Sequence, residues 1–109
     1  MIEGFWIVQF EGVQGGGGGV AVFIKDRVFG GDSGYTYEGS YELKDASVRA
    51  KVLVQNFIAG VPNILGITGN FELRVEGKLE GDVIKGTASP VQSPGVGIAV
   101  KLTKRANLP

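Results

Sequence analysis

Gly-Asp-Ser-Gly at positions 31–34, inside the stretch GGDSGY (30–35), surrounds the nucleophilic serine in one large class of proteases. For Ser33 to attack a carbonyl, a neighbouring general base must take its proton, and histidine usually fills that role. The chain has no histidine and no cysteine. The imidazole base, the thiol nucleophile and the commonest transition-metal ligands are therefore absent together. Asp and Ser are also ordinary turn formers, and the flanking glycines can supply positive φ. A polar turn is expected here. No catalytic residue and no metal ligand are assigned, and the chain is read as a non-enzyme.

Two other patterns invite a chemical reading and fail it. QGGGGG (14–19) has the composition of a phosphate-cradling loop. Such loops lead into a helix whose N-terminus holds the anion, whereas this one leads into Val20-Ala21-Val22-Phe23-Ile24, a strand-like run with no Lys-Ser or Lys-Thr after it. A mobile hairpin tip is expected instead. Glu72, Glu76 and Glu80 share a strand face with Arg74 and Lys78, which makes a screened outer wall rather than an acid–base pair. Asp26, Asp32, Asp45 and Asp82 fall in expected turns without calcium-loop spacing. No cofactor is implied.

Charge narrows the partners. Eleven acidic and eleven basic residues cancel, so the footprint of a nucleic-acid or membrane-surface binder is missing. Lys101, Lys104 and Arg105 read as a solvated strand end. No apolar run is long enough to span a bilayer and no leader-like h-region opens the chain, so a cytoplasmic location is expected.

The elements that must position these residues follow a period of two almost throughout. Tyr35, Tyr37, Gly39, Tyr41 and Leu43 alternate with Thr36, Glu38, Ser40 and Glu42, and Phe71 to Leu79 repeats the pattern. Alternation of this kind marks strands with one buried and one wet face. Eight segments are expected, at about 4–10, 19–25, 27–31, 34–43, 46–57, 68–79, 82–89 and 95–104. Short links at Asp26-Arg27, Lys44-Asp45 and Gly81-Asp82 suit hairpins. At most one short helical turn is expected near 61–66, where Pro62 precedes Asn63-Ile64-Leu65. The fold class is all-β: an eight-stranded up-and-down antiparallel barrel, with 1–109 as a single domain. Closure removes both sheet edges, and a lumen of this size is either packed or holds one small ligand.

The inward face is assigned to Trp6, Val8, Phe10, Tyr37, Tyr41, Val52, Phe71, Leu73, Ile98 and Val100, the candidate contacts of a small apolar ligand. Gly39, Ala50, Gly77, Gly86 and Ala88 on the same face either leave room for that ligand or permit a tightly coiled barrel. Phe5, Ile7, Phe23 and Leu53 fall on the opposite, outer face. Gly4-Phe5-Trp6 resembles the Gly-x-Trp opening of lipocalins and fatty-acid-binding proteins. That resemblance implies an indole plugging the barrel base, with Lys104 or Arg105 lying across it through a cation–π contact.

Three stretches in order carry a more specific resemblance. Gly30-Gly31-Asp32 precedes Tyr37-Glu38-Gly39 at a four-residue spacing, VAVFIKDRVFGGD leads into it, and VPNILGI (61–67) follows. Together they resemble the GrlR-like family of negative regulators of type III secretion genes. The resemblance implies a lipocalin-like barrel, a homodimer, and regulation by binding a transcriptional activator protein without contacting DNA directly. The family's acidic contact run maps onto Leu43, Lys44, Asp45 and Ala46, of which Asp45 alone is acidic, with Glu42 just outside the run; these two carboxylates are the partner-binding candidates. The alternative is a carrier or sensor of a small apolar molecule.

Overall fold

The computed structural model describes residues 2–12, 15–63, 65–67 and 69–109. The two-residue rhythm becomes eight strands: β1 (Gly4–Gly12), β2 (Gly15–Ile24), β3 (Arg27–Gly31), β4 (Tyr35–Lys44), β5 (Ser47–Asn56), β6 (Phe71–Glu80), β7 (Val83–Pro90) and β8 (Ile98–Ala106). Each pairs antiparallel with the next, and β8 returns to β1 to close the barrel. Among the described residues there is no helix. None is therefore long and apolar enough to cross a membrane.

Three two-residue hairpins and the first strand's start form one end of the barrel. Lys25 and Asp26 both have positive φ (49° and 64°), as a primed hairpin turn requires. This turn lies one residue earlier than expected because Ile24 pairs with Arg27. Likewise Lys44 pairs with Ser47, which puts the next turn on Asp45-Ala46. Gly81-Asp82 turns where expected, with Gly81 at φ 61°.

The opposite end carries the longer connections at 32–34, 57–70 and 91–97. Gly66 N–H donates to the Asn63 carbonyl at 3.1 Å in the stretch where a helical turn was expected; Ile64, in the middle of that expected turn, lies outside the described residues. Strand β8 begins later than expected. Ser93 N–H donates to Pro90 and Val96 N–H to Ser93, and these successive turns keep 91–97 out of the ladder.

The pentaglycine corrects the expectation of a mobile tip. Gly15–Gly19 belongs to β2 and pairs in register with Gly12 back to Val8. Backbone ladders need no side chains, and here the glycines have a steric role: a Cβ on Gly17 would lie 2.7 Å from the Phe10 ring.

A second correction concerns Phe23. It pairs with Gly4 and Val28, shares the face of Trp6, and is buried. Its ring lies 5.7 Å from that of Trp6 and 5.1 Å from that of Tyr41. Phe23 is core, not outer wall.

Candidate functional site

The closed end is built around Trp6, which is fully buried. Its indole N–H donates to the Ile2 carbonyl at 2.8 Å, so the one polar atom of the ring is satisfied inside the core. Lys104 is its register partner on β8, with its Cε 2.5 Å from where a Cβ on Gly4 would fall, while Arg105 is exposed. Tyr41 completes the floor. Burial, followed by the nearby Glu3 and Asp26 carboxylates, pushes its phenol above the ordinary value.

Above this floor lies a cavity of about 470 Å³, within the roughly 300–1,000 Å³ of small-molecule sites. Val8, Phe10, Tyr37, Val52, Phe71, Leu73, Ile98 and Val100, all expected on the inward face, line it. Trp6 and Tyr41 do not; they pack beneath Phe23, which does. The small inward residues divide. Ala50 and Ala88 line the cavity and leave it room. Gly39 and Gly86 serve the barrel's coil: a Cβ on Gly39 would overlap the Lys51 carbonyl, and one on Gly86 the Glu76 carbonyl. A Cβ on Gly77 would lie 2.8 Å from the Lys85 carbonyl.

At the open end the β3–β4 loop supplies a polar corner. Asp32 Oδ1 accepts the Gly34 and Tyr35 amides at 3.0 and 2.9 Å, and Oδ2 accepts the Tyr37 hydroxyl. Ser33 sits on the resulting Asx turn, exposed at the cavity rim. The flanking glycines do not take the positive φ expected of them. They give clearance instead, since a Cβ on Gly34 would meet Val61 at 2.6 Å. Burial, followed by the hydrogen bond and charge of Asp32, raises the Tyr37 phenol far above its usual range.

Described residues of the 57–70 connection, Val61 to Asn63 and Leu65, line this mouth. Val61, Leu65 and Ile67 pack against a cluster containing Tyr35, Val54 and Phe71. Asn63 organises the loop: its Oδ1 accepts the Leu65 and Ile67 amides, and its Nδ2 donates to the Ile67 carbonyl and the Tyr35 hydroxyl. Tyr35 in turn donates to the Val61 carbonyl at 2.7 Å. Asp32, Tyr35 and Asn63 were not singled out as site residues. The available signal was the pairing of Gly-Gly-Asp with Tyr-x-Gly, which the Tyr37–Asp32 hydrogen bond joins into one unit.

Glu42 and Asp45 lie elsewhere. Both are exposed, Glu42 on β4 and Asp45 in the closed-end hairpin at φ 57°. They sit at the barrel end opposite the cavity mouth.

Residues 1–89 match the family model described as the type III secretion system negative regulator GrlR. The chain belongs to the GrlR family. No individually curated protein matches it. The matched span holds β1 to β6 and nearly all of β7, together with Asp32, Tyr37, Glu42 and Asp45. Strand β8 lies beyond that span, yet it closes this GrlR-family barrel through its pairings with β1 and β7.

Proposed function

We propose that this GrlR-family barrel regulates by holding a partner protein, a transcriptional activator, and keeping it from acting. In this reading it works in the cytoplasm, without catalysis or cofactor and without touching nucleic acid or membrane. The family match over residues 1–89 carries the proposal. The exposed Glu42 and Asp45 at the closed end offer a contact for a basic segment of the activator. The test is stoichiometric capture of an activator from the organism's own cytoplasm. Reversing both charges, Glu42→Lys with Asp45→Lys, is expected to weaken capture about tenfold, equivalent to about 1.4 kcal/mol. Recovery of no transcription factor by the unaltered protein would overturn the reading.

The functional unit in this proposal is a homodimer. Phe5, Val22 and Phe29 stand side by side across β1–β3, with Ile7 beside Val20 in the neighbouring row. Phe29 is 44% and Val20 38% exposed. This apolar strip contrasts with the outer wall of β5–β8, where Arg49 faces Glu76 and Lys78, Lys85 and Lys101 stand in register. A second copy laid on the apolar strip would bury both. Light scattering is expected to give twice the 11.5 kDa chain mass, and Phe29→Glu to return it to a monomer. A monomer mass for the unaltered chain at high concentration would remove the dimer.

One observation favours a second reading, carriage or sensing of a small apolar molecule. The lumen is open space lined by Ala50, Ala88 and larger apolar side chains, not a fully packed core.

A further inference from the structure

We propose that the lumen takes an elongated apolar molecule whose polar end is a neutral or cationic hydrogen-bond donor, an alcohol, amide or amine, seated against Asp32 and Tyr37. Carboxylates are turned away. The proposal rests on the carrier reading and adds the headgroup class to it.

Among the described lining residues the side-chain polar groups gather at one corner, formed by Asp32, Ser33, Tyr35, Tyr37 and Asn63, and their donors and acceptors can be counted. Tyr37 spends its hydroxyl proton on Asp32. Tyr35 spends its own on the Val61 carbonyl, and the Asn63 amide donates to the Ile67 carbonyl and Tyr35. Acceptor capacity remains. A carboxylate offers about four lone-pair sites, and Asp32 uses two on Oδ1 and one on Oδ2. Tyr37 also lines the cavity, and its phenolic oxygen keeps acceptor capacity. The high phenol pKa imposed by burial and Asp32 keeps Tyr37 in its protonated form, so its proton stays committed.

Charge points the same way. Asp32 is the one charged residue among those described as lining the cavity, and no Lys or Arg lines it. An anionic headgroup would meet the like charge of the half-buried Asp32, with the exposed Ser33 hydroxyl as its main donor. A donor headgroup completes Asp32 and leaves its apolar tail among Val52, Phe71, Val100 and Phe10. Fatty-acid carriage calls for a cation, or for donors beyond the rim hydroxyl of Ser33, and among the described lining residues there is no cation.

The experiment uses the full chain and the neutral dye Nile red, displaced by decanol, decylamine or decanoate near pH 7.5, where the amine is protonated and the acid ionised. Decanol and decylamine are expected to displace the dye at concentrations at least about tenfold below decanoate, a difference of about 1.4 kcal/mol. Asp32→Asn is expected to bring decanoate within a few-fold of decanol. Because Asp32 also caps its loop, Tyr37→Phe is measured beside it. That variant keeps the charge and should still exclude decanoate. Equal displacement by all three, or a preference for decanoate, overturns the headgroup assignment alone. Absence of saturable dye uptake, or uptake that survives filling the lumen with Ala50→Phe, overturns the carrier reading and the assignment with it.

Discussion

Urea unfolding of Trp6→Ala is expected to show a loss of about 3–5 kcal/mol, the cost of removing a fully buried large aromatic from a core that cannot collapse around the gap. Against the roughly 5–15 kcal/mol that stabilises a domain of this size, that is at least about a fifth of the total. Two features place this residue at the high end. The indole is fully buried and packs against Phe23, which in turn packs against Tyr41, so its loss loosens the whole floor. Its N–H also satisfies the carbonyl of buried Ile2, which alanine would leave without that donor. Trp6→Phe separates the two effects. It keeps most of the ring volume and loses the hydrogen bond, so about 1–3 kcal/mol is expected. The thermal midpoint of Trp6→Ala should fall by roughly 15 °C or more. A loss below about 1 kcal/mol would mean that the base is held by other contacts. The functional consequence follows from position: without the indole Phe23, which lines the bottom of the lumen, loses its support.

The barrel was legible because alternation is a direct consequence of strand geometry, and few residues here break it. Phe71 to Leu79 shows the reason plainly: each apolar residue is followed by a charged or polar one, and the structure turns the apolar set inward. Phase was lost where that contrast fails. In β2, Val20, Val22 and Ile24 are as apolar as Ala21 and Phe23, and the glycines before them carry no side chain to mark a face. Only register across to Gly4 and Val28 settles that Phe23 points inward. The same lack of side chains made the pentaglycine look like a tip, because glycine is a poor strand former by propensity while its backbone ladder is intact. The lining of the cavity was largely readable from parity. Its polar corner was not, because Asp32 looks like any turn aspartate until Tyr37 is seen reaching back five residues to it. Asn63 was hidden for a similar reason: its hydrogen bonds organise an irregular loop, and irregular loops have no period to read.

The same register makes Gly86→Ala a more severe change than its single added methyl suggests. Gly86 sits between Gly77 on β6 and Val100 on β8. A Cβ there would overlap the Glu76 carbonyl and lie 2.5 Å from the Gly77 Cα. Both obstacles are backbone, so no side-chain rotation relieves the overlap, and β6 and β7 must part or slide. Overpacking a core costs about 1–3 kcal/mol when side chains can yield, and this case should reach or exceed the upper figure. Gly95→Ala supplies the contrast. Nothing lies within 4 Å of a Cβ at Gly95, and its φ is not in the left-handed region. That change should be within about 0.5 kcal/mol of neutral, or slightly stabilising through the unfolded chain. Denaturant midpoints of the two variants, measured side by side, read the difference directly. Equal midpoints would mean that β6 and β7 do not approach as closely as their register demands. A large gap would support the view that tight coiling at Gly77 and Gly86 draws this wall inward, leaving Ala50 and Ala88 to set the space inside.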